Sequence, residues 1–342
     1  MKIVPPGRGP VTLRDVAEHA RVSIATASNA LTGARRVGPD SVERVLRSAS
    51  ELGYRPNGVA RSLRTGLHRS IGLVIPDVTN PFWAGMVSVI EGLADESGFQ
   101  LSLVNTGFDA GRESASLTRL AGSVDGVLLF STNPRATMLA PALAGGLPIV
   151  AVDEGFELEG IGGVHSDNAG GGRLAAEHLV DVGGTFFGLL AGPASLTTAA
   201  QRSAGFAAGL AGRGVDPARL HRVTAPYSFE GGREGVRRML ARHPEVDALF
   251  ACTDNQAIGA TFEAHDLGRV VPDDLLVCGF DDISWASRIT PALTTLRQDS
   301  AGMARRAFEQ LVELVTHGGA PEVTVFPVTL VERASTRRVT SV

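Results

Sequence analysis

Several short apolar runs of this 342-residue chain end on side chains suited to holding a ligand rather than breaking a bond. Asp153 closes VAVD, Asp254 closes FACTD, Asp281 closes VCGFD and Gln298 closes LTTLRQ. Asn80, Phe82 and Trp83 follow the first such run in NPFW, Arg202 opens QRSAGF, and Tyr227 stands in a loop. Carboxylates and a guanidinium fork match vicinal hydroxyls, and a flat aromatic ring covers the apolar face of a pyranose or furanose. The carboxyl ends of strands are where an open α/β sheet takes its ligand. Groups for other chemistry do not occur together. There is no HExxH, paired-cysteine motif or GxSxG, and the eight histidines show no ligand spacing, so no metal centre, cofactor or catalytic constellation is expected. GGVHSDNAGGGR at 162–173 lacks both glycine-loop patterns for nucleotides and reads as a crossover followed by a helix start. His165 and His178 read as polar surface or loop residues, and Cys252 and Cys278 as small hydrophobes ending buried strands.

The elements that must position these groups alternate in a βαβ rhythm from about residue 70. Strand candidates are 71–75, 101–104, 126–130, 149–152, 186–191, 248–251 and 275–279, with amphipathic stretches at 82–96, 173–182, 201–211 and 301–315. This is a doubly wound parallel-sheet plan. Its 273 residues exceed a comfortable single core, so two lobes with a cleft between them are expected.

The first 56 residues follow a different pattern. In TLRDVAEHARVSIATASNALTG at 12–33, Thr12 with Asp15 makes a capping-box-like start, and Leu13, Val16, Ala17 and Ala20 form an apolar stripe. Ser23 caps a second helix whose inward face is Ala27, Ala30 and Leu31 and whose outward face is Ile24, Ala25, Ser28 and Asn29. Those small outward residues let a helix sit deep in a DNA groove. A third helix after Gly38-Pro39 carries Val42, Val45, Leu46, Ala49 and Leu52 to Gly53 and buries the other two. Residues 1–70 hold twelve basic and five acidic side chains, net +7, against −11 for the remainder. A positive head on a negative body points one end at phosphate. Between them Pro56 ends an extended piece, Asn57 can cap, and 59–64 spell about two helical turns, too short to stand alone in water.

The head motif, ELGYRPNGVARSLRTG at 51–66, IGLVIPDVTNPFW at 71–83, VCGFDDIS at 277–284, LTTLRQ at 293–298 and LVERAST at 330–336 together resemble, in order and over nearly the whole chain, the lactose/galactose-repressor family of transcription regulators. The resemblance puts Ile24, Ala25, Ser28 and Asn29, with Thr26 among them, on the recognition helix. Leu13, Arg36, Ser41, Tyr54 and Asn57 fall where the family touches phosphates or frames that helix. Asn29 departs from the more frequent Arg, and because Asn pairs with adenine where Arg reads guanine, the half-site differs at that base pair. The hinge helix of the family folds on DNA, pairs with its dimer mate and wedges a leucine into the minor groove at a central CG step; the matching residue is Leu63, with Ala60 beside it. Ligand-contact positions fall on Asn80, Phe82, Trp83, Asp153, Arg202, Tyr227, Asp281 and Gln298, with Thr253 and Asp254 completing the expected set. Glu154 replaces a frequent Arg, and Thr253 the Asn that often precedes Asp254.

The expected fold is a small all-α helix-turn-helix head (1–56), a hinge (57–69) and an α/β body (70–342) of two doubly wound parallel-sheet lobes, by resemblance of periplasmic-binding-protein type. The resemblance sets lobe crossings near 159–163, 290–293 and 322–327, giving a first lobe of about 70–160 plus 293–321 and a second of about 163–290 plus 325–342. The function implied is a DNA-binding repressor controlled by a small effector, a sugar by the family's pattern. A purine- or nucleoside-responsive corepressor is the alternative. A transported-solute binding protein would need a secretion signal and no basic head, and an enzyme would need a constellation not seen. The partners expected are a pseudo-palindromic double-stranded operator, the effector and a second copy of the chain. With no apolar heptads after LVERAST a dimer is expected rather than a helix-tethered tetramer. No run spans a bilayer, no signal core follows Met1 and only two cysteines occur, so the cytoplasm is the expected compartment.

Overall fold

A computed structural model describes residues 11–32, 35–54, 67–131, 139–155 and 160–338 of the chain. They fall into two compact units, 1–68 and 69–342.

In the first unit, α1 (Leu13–Ala20) opens with a full capping box. Asp15 N donates to Thr12 Oγ1, and Thr12 N donates to Asp15 Oδ2 at 2.8 Å. Arg21 closes the helix in the left-handed region, φ 54°. Thr26 N then donates to Ser23 Oγ at 3.0 Å, which starts α2 (Ile24–Thr32) two residues after the turn. The third helix, α3 (Pro39–Leu52), packs Val45 and Ala49 against Val16, Ala17, Ala20 and Ala27. Leu46, expected inside, is 52% exposed. It lies about 100° round the helix from Val45, off the 45–49–52 stripe, and Ser48 takes the buried place instead, within 3.0 Å of His19 Nδ1.

In chain order the second unit begins β1 (Ser70–Ile75), α4 (Pro81–Glu96), β2 (Gln100–Asn105), α5 (Ala110–Leu120), β3 (Gly126–Leu129), α6 (Ala140–Ala144), β4 (Ile149–Val152) and β5 (Gly162–Ser166). It continues α7 (Asn168–Asp181), β6 (Phe187–Ala191), α8 (Thr197–Gly212), β7 (Leu220–Thr224), α9 (Phe229–Arg242), β8 (Ala248–Ala251) and α10 (Asp254–Asp266). The last elements are β9 (Leu276–Asp281), β10 (Thr294–Gln298), α11 (Ser300–His317), β11 (Val323–Phe326) and β12 (Val328–Val331). One six-stranded sheet has the order β11-β5-β4-β3-β1-β2 and is parallel throughout. The other has the order β12-β10-β9-β8-β6-β7 and is parallel except where β12 runs against β10. The central strands β1, β3, β4, β8 and β9 are buried almost end to end, as a sheet covered on both faces requires.

The lobe boundaries differ from the sequence expectation at two of three crossings. β5 belongs to the first sheet, so the chain crosses at Asp167 rather than at 159–163. β10 belongs to the second sheet, so the return crossing is at Asp299 rather than at 290–293. The third falls at Pro327, between β11 of the first sheet and β12 of the second. Glycines at 162 and 163 hid β5, being poor strand formers that nonetheless pair with β11 and β4. The two aspartate crossings share the spelling Asp-x-Ala-Gly. Asp167 caps α7 by accepting from Gly170 N at 2.8 Å, and Asp299 caps α11 by accepting from Gly302 N at 2.9 Å.

The glycine-rich stretch is a packing device. A Cβ on Gly172 would lie 2.2 Å from Arg202 O, and one on Gly205 2.0 Å from Ala169 O, so α7 and α8 touch backbone to backbone. Gly205→Ala should therefore destabilise the body by about 1–3 kcal/mol through helix displacement, read as a lowered midpoint in urea denaturation. An unchanged midpoint would mean the helices are free to separate.

Candidate functional site

The carboxyl ends of the strands carry the expected groups to one cavity. Its walls are Asn80, Phe82, Trp83, Asp153 and Glu154 from the first lobe, and Leu196, Thr198, Arg202, Tyr227, Thr253 and Asp281 from the second. Arg202, on the first turns of α8, is the centre. Its Nε donates to Asn168 Oδ1 at 2.8 Å and its Nη1 to Cys252 O at 2.7 Å; Asp281 Oδ1 lies 3.5 Å from Nη1 and Asp153 Oδ1 3.9 Å from Nη2. The guanidinium carbon lies 3.9 Å from the centroid of the Phe280 ring. Trp83 Nε1 donates to Asp153 Oδ2 at 3.3 Å. Asp153 Oδ1 and Gln298 Oε1 are buried without a hydrogen-bond partner. Both are acceptors, so what they lack is a donor such as a ligand hydroxyl. The cavity itself is about 20 Å³. Since a drug-sized ligand needs roughly 300 Å³ or more, a sugar ring enters only as side chains or lobes part.

Backbone strain marks the same place. Asp153, Asp281 and Asp282 hold φ values of 72°, 120° and 56°, where side-chain-bearing residues are costly, and such strain collects where geometry is over-determined. Asp282 does not line the cavity and is clamped by Arg297 and Arg333, each at 2.6 Å. Gly192 leaves room for Tyr227, whose ring would meet a Cβ there at 2.2 Å.

Two expected contacts play other parts. Asp254 is fully buried beneath the cavity, with Oδ2 accepting from Ile283 N at 2.9 Å and Oδ1 accepting from Thr295 Oγ1 at 2.5 Å. Gln298 does not line the wall but donates from Nε2 to Asp281 Oδ1 at 2.8 Å. Asn80 and Thr253 line it while also capping helices, Asn80 toward Phe82 N and Thr253 toward Gln256 N.

Burial sets the charge state of the cavity. Burial raises Asp153, with Arg202 and the Trp83 hydrogen bond opposing. Glu154 is pushed up to about 7 by burial and then by Asp153. Asp281 is likewise pushed up to about 7 by burial, with Arg202 lowering it and Asp153 raising it. Burial works against the Arg202 charge, and Asp281, Tyr227 and Asp153 more than restore it. Glu154 and Asp281 thus hold protons in the fold that the unfolded chain has released. The stabilisation is complete below their ordinary values of 4.5 and 3.8 and is lost as pH rises through about 7. The body should lose about 1–2 kcal/mol between about pH 6.5 and 8, seen as a falling melting temperature whose slope drops by about half in Glu154→Gln, Asp281 supplying the rest. His165 and His178, both lowered by burial, work in the opposite direction only below their ordinary 6.5.

In the first unit, α2 presents Ile24, 45% exposed, and Ala25 to solvent, with Thr26, Ser28 and Asn29 half-buried beside them. Thr26 Oγ1 lies 2.8 Å from Ser23 Oγ. Leu13 and Tyr54 pack on the small core and frame the helix. Arg36 is exposed, and Ser41 Oγ accepts from Arg44 at 3.2 Å. Asn57, Ala60 and Leu63 lie outside the described residues.

Residues 12–57 match the model for bacterial regulatory proteins of the lacI family, and 176–336 match a periplasmic binding protein-like domain. The chain is 37% identical over 291 residues to the ribose operon repressor of Halalkalibacterium halodurans, covering 84% of this chain and 85% of that one. It is 32% identical over 319 residues to the transcriptional repressor PurR of Mannheimia succiniciproducens, covering 92% and 95%. A solved lac repressor dimer bound to operator and the anti-inducer ONPF superposes with a TM-score of 0.83 at 27% identity, over 96% of this chain and 99% of that one. The chain belongs to the lacI family.

Several residues of this lacI-family chain take parts that sequence reasoning missed. Glu154, noticed only as a departure, accepts from Thr197 N at 3.0 Å and Thr198 N at 3.3 Å across the cleft. The signal that points to it is Leu196, which opens α8 without a capping side chain. His178 is a correction, for it is 7% exposed and lies 2.8 Å from Thr336 Oγ1, whose hydroxyl also meets Thr294 Oγ1. In the LVERAST block, Ser335 Oγ donates to Val277 O at 2.6 Å and accepts from Thr294 N at 2.8 Å, so that motif ties the chain's end to β9 and β10. Cys278 lies within β9 rather than at its end, and both thiols are buried and pushed up, Cys252 to about 11. His221 and His243, given no common purpose by spacing, stack at 3.6 Å, with Glu245 Oε1 3.3 and 3.4 Å from their nitrogens. Among the described residues no helix is long and apolar enough to cross a membrane.

Proposed function

We propose that this lacI-family regulator is a homodimeric, cytoplasmic repressor that binds a pseudo-palindromic operator and releases it when a sugar enters the cleft between the lobes. The observation that carries the effector reading is the array Asp153–Arg202–Asp281, whose Asp153 Oδ1 lacks a hydrogen-bond donor while facing a guanidinium 3.9 Å away. A ring hydroxyl placed there donates to the carboxylate and accepts from the guanidinium, with Phe82 and Trp83 against the ring's apolar face. The relative named a ribose operon repressor makes a pentose the first candidate. Such a ligand alters DNA affinity only through unequal binding to two lobe arrangements. Asn80, Tyr227, Thr253, Asp254 and Gln298 support the contact set around it, and no catalytic role is proposed for any of them.

A second reading is favoured by the PurR relative and by the flat walls of Trp83 and Tyr227, which suit a purine acting as corepressor. Calorimetric titration of the full-length chain with D-ribose, other sugars and purine bases separates the two. Ribose or another sugar binding, with Asp281→Ala abolishing the heat, supports the first. Purine binding alone overturns it in favour of the second.

A further inference from the structure

We propose that Glu154 makes this cleft selective for uncharged, hydroxyl-rich effectors, by filling from one lobe the anion-accepting helix end that the other lobe presents. The inference rests on the reading above for the place of the ligand, and on the following geometry for its charge.

An α-helix begins with unpaired N–H groups and partial positive charge, and it takes a carboxylate or phosphate readily. The helix α8 begins so, and its N-cap residue Leu196 makes no side-chain hydrogen bond to it. The missing acceptor arrives from the opposite lobe. Glu154, just past β4, accepts from Thr197 N and Thr198 N through Oε2 and from the Thr198 hydroxyl through Oε1. Glu154, Leu196 and Thr198 are walls of the same cavity as Asp153, Arg202 and Asp281, so the capped turn lies within the ligand's reach.

The other feature able to take an anion is already engaged. Among the wall residues Arg202 is the one cation beside three carboxyl groups; its Nε and Nη1 are held by Asn168, Cys252 O and Asp281, its Nη2 faces Asp153 Oδ1 at 3.9 Å, and Phe280 lies beneath its face, so its charge is already matched by two carboxyl groups. What the cavity leaves unmet are the acceptors Asp153 Oδ1 and, behind the wall, Gln298 Oε1. A polyol supplies the donor that Asp153 Oδ1, on the wall, lacks. A phosphate ester or carboxylate brings further acceptors and a further negative charge beside carboxyl groups already held up by burial. At pH 8, above the value of about 7 to which burial raises Glu154 and Asp281, one like charge at contact range in a partly buried site weakens binding by roughly 100-fold.

The test uses the full-length chain carrying Trp285→Phe, since Trp285 is 54% exposed and Trp83, 6% exposed in the cleft, then reports alone. D-ribose, D-ribose 5-phosphate and inorganic phosphate are titrated by calorimetry and by Trp83 emission into that chain and into its Glu154→Ala and Glu154→Gln variants. The chain that keeps Glu154 should at pH 8 favour ribose over its phosphate by roughly 100-fold and bind inorganic phosphate not at all. Glu154→Ala uncovers the two N–H groups and should gain phosphate binding that perturbs Trp83, while Glu154→Gln, which keeps an oxygen on the turn but no charge, falls between. Phosphorylated ribose bound as tightly as ribose, or phosphate affinity unchanged in both variants, overturns the proposal. Should neither ribose nor its phosphate bind the chain that keeps Glu154, ribose is removed as the candidate effector, and phosphate binding by Glu154→Ala still decides the part of Glu154.

Discussion

Arg202→Ala should yield a chain whose head still folds, whose body is less stable by about 3–5 kcal/mol, and whose DNA binding no longer answers any effector. The guanidinium is 2% exposed and spans Asn168, the Cys252 carbonyl, Asp281 and Asp153, so its loss strands two acceptors and two carboxyl groups in a place water does not reach. Without the guanidinium nothing of its charge opposes the burial that raises both carboxyls, and the charged grip on a ligand is gone with it. Because removal of bulk also lowers stability, Arg202→Met is the sharper variant, since it keeps packing over Phe280, 3.9 Å beneath the guanidinium. Arg202→Met combined with Asp281→Asn should recover part of the lost stability, as partners in one network are not additive. Urea denaturation measures the first effect and effector titration the second. Full stability in Arg202→Met together with a normal effector response would remove this residue from the centre of the cleft.

Leu63→Ala should weaken specific operator binding by at least about 30-fold, the equivalent of roughly 2 kcal/mol, while leaving effector affinity and binding to random duplex nearly unchanged. By resemblance to the family, Leu63 is proposed as the side chain that opens a base step from the minor groove. An alanine loses both the wedge and the bend that lets the duplex meet more of the protein. The two halves of that expectation separate specific from electrostatic binding, because the net +7 of residues 1–70 is untouched. Anisotropy titrations on operator and random duplexes at one salt concentration provide the check. Operator affinity in Leu63→Ala equal to that of the unsubstituted chain would make the segment a plain tether.

Much of this was legible in the residues because their local signals agreed with the fold. The capping box at Thr12, the Ser23 start and the apolar runs at 71–75, 149–152 and 248–251 each state one structure by propensity, period and punctuation together. What escaped were features made by partners distant in sequence. β5 is spelled with two glycines and becomes a strand because β4 and β11 flank it, and β10 reads as a lobe boundary until its pairing with β9 and β12 is known. His178 becomes buried because Thr336 lies 2.8 Å from it across 158 residues. Glu154 belongs to the same class, since a carboxylate on one lobe and an uncapped helix on the other carry no shared local pattern. The cleft residues were found by a simple rule, side chains at strand ends, and the rule misplaced those whose strand-end position serves packing, as with Asp254 beneath the wall.

The most direct measurement is an anisotropy titration of the full-length chain on a palindromic duplex enriched from a random pool, at moderate ionic strength, with and without saturating D-ribose or another sugar found to bind. A dimer should prefer that duplex over random competitor by about 1,000-fold or more, lose roughly 5- to 150-fold of its affinity when the sugar is added, and keep the preference but not the loss in Arg202→Met. No duplex preferred over random DNA, or an affinity indifferent to every ligand that occupies the cleft, would break the link between the two-lobed body and the DNA-binding head.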